Sequence, residues 1–313
     1  MGITLFIKKL IYFMLPFGVY LIVVFFVDPF NYINRVPFSH DPEKTKIALE
    51  ESPHLFKLVA FRNDPKSNLV LGDSRSNGIY PQFDNGSWSN LAYGGASLRE
   101  IIDSYWFSVK YAQLDTVLIG VSLSQYSRFN KRFWVEETIE RQSSFLAYTL
   151  NKHTFNATFR FLGKRLLPDD HSPSVDSQAT EDFEAEKQYH WSKKLDEVDK
   201  FFSNLGYPSD YFEQLKEIAA DCERRGTVLL FWVPPSHTDY RSKVLEYQVD
   251  EYEATFLEDL SSLGSVYHFD FPSTLTNDYE NFRDPVHFTD PIARVLFEVL
   301  TGLKDHVGIY RLL

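Results

Sequence analysis

Three short stretches, far apart in the chain, hold the residue types that serine-based acyl chemistry requires. SNLVLGDSRSNGI (Ser67–Ile79) runs from the apolar Leu69–Leu71 abruptly into Gly72, Asp73 and Ser74. RDPVHFTD (Arg283–Asp290) places Asp284 three residues before His287, and none of the other eight histidines has an aspartate at that distance. NLAYGGASL (Asn90–Leu98) carries paired glycines. A serine nucleophile needs a base within hydrogen-bond reach, a carboxylate to orient the base, and N–H donors for the oxyanion. His287 with Asp284 can supply the first two, with Pro285 stiffening their loop. The Gly94–Gly95 turn can supply closely approaching backbone N–H groups. Each stretch also has an ordinary reading: strand-ending turn residues, an Asp-Pro turn, loop punctuation. Their order along the chain favours the chemical reading. No G-x-S-x-G elbow is present, so the usual α/β-hydrolase arrangement is absent.

The elements around these stretches fit that role. Short apolar runs read as strands over Asn68–Leu71, Ser87–Ala92, Thr116–Val121, Val228–Val233 and Val266–Phe271. Amphipathic helices are expected over Leu98–Gln113, Tyr211–Arg224 (stopped by Gly226), Tyr240–Leu263 and Pro291–Leu303. Near-continuous apolar strands alternating with helices predict a three-layer α/β/α sandwich on a parallel sheet, doubly wound and flavodoxin-like. Sites in such sheets lie beyond the carboxyl ends of the strands, where Ser74 falls. Tyr126 to about Leu205 breaks the alternation and reads as an insertion: helical pieces around an acidic loop (Pro168–Glu186), expected to cap the site.

Composition narrows the setting. The 313 residues are 44% hydrophobic, 24% charged and 16% aromatic, enough for a sizeable core. A net charge of -11 without a local basic run argues against nucleic acid. A single cysteine, Cys222, excludes an intramolecular disulfide framework and a cysteine-rich zinc site. The other histidines show no ligand spacing, so no metal or cofactor is expected. Leu10–Val27 carries no charge and follows Lys8 and Lys9. This segment is expected to cross a membrane once, N-terminus inside, leaving the remainder outside the cytoplasm. A cleaved signal peptide is the alternative, but no small-x-small site follows Val27; a buried globular helix is a further one. The expected organisation is an anchor over residues 1–30, a juxtamembrane connector over 31–66, and an α/β domain over 67–313 with its insertion at about 126–205.

The GDS after the first strand, the glycine turn after the second and D-x-x-H before the last helix resemble the SGNH (GDSL-type) hydrolase superfamily. The resemblance implies Ser74 as nucleophile, His287 as base and Asp284 as its orienter. It implies oxyanion donors at the Ser74 and Gly95 N–H groups, Gly95 standing five residues after Asn90. One element departs from the family pattern: the asparagine expected after the third strand is missing from VLIGVSLSQYS, where Ser124 and Gln125 occupy that neighbourhood. Arg75 either binds an anionic substrate group, braces the loop, or is an ordinary polar residue of a first helical turn. His237, in PPSH, either lines an acceptor site or stands exposed on a loop.

The anchor, the GDSRS form and the insertion also resemble membrane-anchored SGNH-like proteins of bacterial envelopes that act in O-acetylation or D-alanylation of surface polymers. That resemblance implies acyl transfer to or from a cell-surface polysaccharide or related polymer, with a multi-pass membrane exporter of acyl groups as partner. A plain surface esterase and a non-catalytic polymer-binding scaffold are the alternatives.

Overall fold

The computed structural model describes residues 3–35, 41–83, 86–130, 132–166, 183–207 and 210–313. The chain forms two compact units, Met1–Asp64 with Glu136–Ser174, and Pro65–Val135 with Val175–Leu313.

The first unit begins with α1 (Ile3–Val27), a 25-residue helix long and apolar enough to cross a membrane. The segment expected as a connector holds two helices, α2 (Pro42–Glu51) and α3 (Pro53–Asn63). Each starts with a capping side chain followed by proline: Asp41 accepts from Lys44 N and Ser52 from Leu55 N. The unit is completed by α6 (Trp134–Arg141), within which the chain enters it, α7 (Phe145–Thr149) and α8 (Lys152–Leu166). Its core gathers Val24, Phe30, Leu55, Val59, Tyr148 and Ala157. Asp28 adopts a positive φ of 41°, fully buried, and accepts from the N–H groups of Tyr32 and Ile33 and from the Tyr148 hydroxyl. That network satisfies a buried carboxylate that would otherwise be costly.

The second unit is built on a six-stranded sheet of order β2-β1-β3-β4-β5-β8. The parallel strands are β1 (Asn68–Gly72), β2 (Trp88–Ala92), β3 (Thr116–Gly120), β4 (Val228–Val233) and β5 (Ser265–His268); β8 (Arg311–Leu312) is an antiparallel edge. Successive side chains alternate between faces. Val70, Leu118 and Trp232 therefore point to one face, where they pack with Leu296 and Val299 of α13 (Asp290–Leu300). The other face is covered by α5 (Leu98–Ser108), α10 (Tyr211–Arg225) and α12 (Asp250–Leu263). The order of the five parallel strands is that of doubly wound sheets of the flavodoxin type, as the alternation predicts.

Two sequence expectations are corrected. Tyr240–Leu263 is not one helix: α11 (Thr238–Glu246) ends in a left-handed residue, Gln248 (φ 55°), before α12 starts. The Val249 N–H returns to Val244 O, closing α11 and turning the chain. The two-residue β8 has no periodicity to announce it. Of the acidic loop Pro168–Glu186, residues 168–182 lie outside the described residues; from Phe183 the chain is helical as α9 (Phe183–Phe202). The stretch read as one insertion thus contributes α6–α8 to the first unit and α9 to the second.

Candidate active site

β1 ends at Gly72 in a conformation that only glycine tolerates. Its φ is 144°, and a Cβ there would lie 2.1 Å from Ser76 Oγ and 3.0 Å from Gly120 O. Asp73 then caps the short helix α4 (Ser74–Ile79), accepting from Arg75 N at 2.9 Å. Ser74 is therefore the first helical residue beyond the carboxyl end of β1.

His287 arrives on a small hairpin formed by β6 (Phe282–Asp284) and β7 (His287–Phe288), in which Asp284 pairs with His287. Asp284 Oδ1 accepts from the Val286 N–H at 2.9 Å and the His287 N–H at 3.0 Å, and Oδ2 lies 2.6 Å from His287 Nδ1. An ionised carboxylate can only accept, so Nδ1 carries the proton and Nε2 is left to accept from Ser74 Oγ, 2.7 Å away. Burial pushes the Asp284 carboxyl up, but the hydrogen bond and charge of His287, the Val286 N–H and the Lys194 ammonium outweigh it. The net shift is below the ordinary carboxylate value, which keeps Asp284 ionised.

The glycine turn after β2 is held as firmly. Ser97 and Glu100 form a capping box at the start of α5, and the fully buried Glu100 takes Arg132 Nε at 2.6 Å. Arg132 Nη2 donates to Gly94 O at 2.9 Å. Gly95 sits in the left-handed region, φ 62°, and borders the same cavity as Ser74 and His287.

Arg75 is buried and turned inward. Its guanidinium forks onto Asp73 (Nη2–Oδ2 2.6 Å, Nε–Oδ2 3.1 Å) and donates to Ser122 Oγ at 2.8 Å. These bonds brace the loop, and Arg75 also borders the cavity in front of Ser74. Burial pushes the Asp73 carboxyl up, and the charge and hydrogen bonds of Arg75 more than offset that, leaving it below its ordinary value. Beyond Ser122 the network continues: its N–H donates to Gln125 Oε1 at 3.0 Å, and Gln125 Nε2 donates to Ala96 O at 2.8 Å. The loops after β1, β2 and β3 are thereby joined by buried hydrogen bonds.

This settles where Ser124 and Gln125 stand. Gln125 is buried with its amide engaged at both ends and does not border the cavity, while Ser124 does. His237, for which an exposed loop position was one expectation, is buried. It caps α11 by accepting from Asp239 N at 3.1 Å, and its ring meets Trp191 edge-on at 4.8 Å. Its N–H donates to Pro285 O at 2.8 Å, so it steadies the Asp284–His287 turn from behind.

The cavity in front of Ser74 has a volume of about 250 Å³. Its outer wall comes from α9: Val198, Phe201 and Phe202 face it, with Lys194 and Glu197 paired at 2.5 Å beside them. Tyr240 borders it beside Phe202, their ring centroids 5.5 Å apart. Sequence reasoning missed these residues individually, because an aromatic pair at the end of a charged helix has no distinctive spacing. A second depression of about 350 Å³ also borders Ser74 and His287, together with Gly78, Arg283 and Asp290.

No family model matches this chain, and no curated protein matches it. Solved structures do. A GDSL-like lipase from Bacteroides thetaiotaomicron is 8% identical, with 76% of this chain and 89% of that chain covered and a TM-score of 0.33. An α/β-hydrolase enzyme from the metagenome of Lake Arreo is 10% identical, with 77% and 97% covered and a TM-score of 0.35. A Bacteroides fragilis protein described as an acylhydrolase is 9% identical, with 77% and 91% covered and a TM-score of 0.38. Scores this low carry no argument about activity, which has to come from the side chains.

Proposed function

We propose that this protein is a serine-dependent acyl-transfer enzyme. The reading rests on one observation: the unbroken hydrogen-bonded chain from Ser74 Oγ through the His287 ring to Asp284, opening on a cavity. Ser74 attacks the carbonyl of an acyl ester or thioester while His287 Nε2 takes its proton. Asp284 holds the ring's tautomer and stabilises the imidazolium. The backbone N–H groups of Ser74 and Gly95 receive the oxyanion, with the Ser124 hydroxyl as the side-chain donor where the family resemblance calls for asparagine. The leaving group departs with the proton from His287. A hydroxyl acceptor, or water, then attacks the acyl-Ser74 ester, and His287 returns a proton to the serine.

The cavity has room for an acyl group such as acetyl, and the aromatic wall of α9 suits stacking against a sugar ring of the acceptor. With α1 as a span and its lysines inside, the reaction runs outside the cytoplasm, on a cell-surface polysaccharide or related envelope polymer. Activated acyl groups must then be delivered across the membrane, which calls for a multi-pass membrane partner. A fluorophosphonate probe tests the catalytic core. Labelling is expected on the full chain, abolished in Ser74→Ala and weakened in His287→Ala; equal labelling in Ser74→Ala would refute the assignment.

A further inference from the structure

We infer that the first unit is partly immersed in the leaflet from which α1 emerges, through an apolar rim on α7 and α8. The inference rests on the reading of α1 as a membrane span, and adds a second mode of attachment to it.

The span is too short unless the membrane reaches the folded unit. From Tyr20 onward one face of α1 is covered: Tyr20 packs against the core of the first unit and Val24 is fully buried in it. The stretch before that cover, Ile3 to Val19, reaches only about 25 Å at ~1.5 Å per residue, and it contains Lys8 and Lys9. Counted from Leu10, the uncharged part reaches only ~15 Å, against ~30 Å of hydrocarbon. Leu10 to Val27 reaches ~27 Å, which is sufficient with lysines snorkelling at the inner boundary. A bilayer seated on Leu10–Val27 therefore extends ~10 Å past the level of Tyr20.

At that level α8 lies directly against α1. Tyr20 stacks on Phe159 and meets Phe155 with centroids 6.4 and 5.6 Å apart, and its hydroxyl donates to Thr149 O. Whatever surrounds Tyr20 surrounds these residues also. The rim has the composition of a membrane-contacting surface. Leu146 and Leu150 are 56% and 58% exposed, and Phe155, Phe159 and Leu166 are 49%, 47% and 75% exposed. Phe155, Phe159, Leu162 and Leu166 fall at i, i+4, i+7 and i+11, one continuous stripe along α8. Arg160, Lys164 and Arg165 lie off that stripe, Arg160 pairing with Glu50 and Arg165 with Asp41, while Lys152, three residues before Phe155, stands at its end. A patch of this kind is uncommon on a surface that meets only water. Its continuity with α1 makes lipid its occupant.

The test uses the full chain in nanodiscs of phosphatidylcholine and phosphatidylglycerol. Single cysteines at Val19, Leu150, Phe159 and Lys164 carry nitroxide labels, and the native Cys222, 1% exposed, stays in place. Power saturation then compares relaxation by oxygen, which concentrates in lipid, with relaxation by an aqueous nickel chelate. Labels at Leu150 and Phe159 should behave like Val19 in α1, relaxed more by oxygen than by nickel, with Lys164 showing the reverse. If Val19 is immersed while Leu150 and Phe159 follow nickel, the rim lies outside the bilayer and the inference is overturned, leaving the patch to a protein partner. If Val19 itself follows nickel, α1 is not a span and both readings fall, while the Ser74 chemistry is untouched.

Discussion

Ser74 Oγ lies 2.7 Å from His287 Nε2, although 213 positions of sequence separate the two residues. The contact follows from topology. Gly72 lets β1 end in a turn that delivers Ser74 at its carboxyl end, and the hairpin after β5 returns His287 to the same end. Neither element is long, and both are fixed from behind, α4 by Asp73 and Arg75 and the hairpin by Asp284 and His237.

If Asp284 orients the imidazole, Asp284→Asn should leave the hairpin folded, because the amide oxygen still accepts from the Val286 and His287 N–H groups. The tautomer preference would be lost, and ester turnover should fall by roughly 10⁴-fold. Steady-state kinetics alongside circular dichroism check this; a loss below about tenfold with the fold intact would remove Asp284 from the mechanism.

Acid should act on stability through the same residue. The Asp284 carboxyl is held below its ordinary value of 3.8, so the unfolded chain takes up the proton first as pH falls. Its contribution is complete above 3.8 and is lost as pH drops through the folded value. Melting temperatures of the full chain and of Asp284→Asn should accordingly converge below about pH 4. A difference that stays constant from pH 6 to pH 3 would contradict the assignment.

Arg75 separates the brace from the binding role. Arg75→Met strands the buried Asp73 carboxylate and should cost about 3–5 kcal/mol, part of it recovered in Asp73→Asn/Arg75→Met. Denaturant titration reads this directly. A variant of unchanged stability but raised KM would instead make Arg75 a substrate ligand.

Ser124 and Gln125 should part company. Ser124→Ala removes the hydroxyl facing the cavity and is expected to lower kcat by ~10²-fold with stability little changed. Gln125→Ala leaves Ser122 N and Ala96 O unpaired, so its effect should be ~1–3 kcal/mol of stability. The reverse pattern would place the third donor on Gln125.

Much of this was legible in the sequence, for identifiable reasons. The five parallel strands are short apolar runs bounded by polar turns, and the capping pairs at Ser97 and Glu100 or Gly226 mark helix ends by local hydrogen bonding. Gly72, Gly95 and the Asp284–His287 spacing are local features too. What escaped notice depends on contacts between distant segments. The turn of Arg75 toward Ser122, the burial of His237 under Trp191 and the α9 wall at Val198 and Phe202 leave no periodic trace. The helices α2 and α3 carry their own local start signals, Asp41-Pro42 and Ser52-Pro53, within a stretch whose polar character reads as a connector.

The most direct measurement of the central claim is mass spectrometry of the purified full-length protein after brief incubation with an activated acetyl ester. The acetyl mass should appear on the peptide carrying Ser74, vanish in Ser74→Ala, and decay when a hydroxyl acceptor is added. Acetylation confined to other residues, or persisting unchanged in Ser74→Ala, would contradict the account.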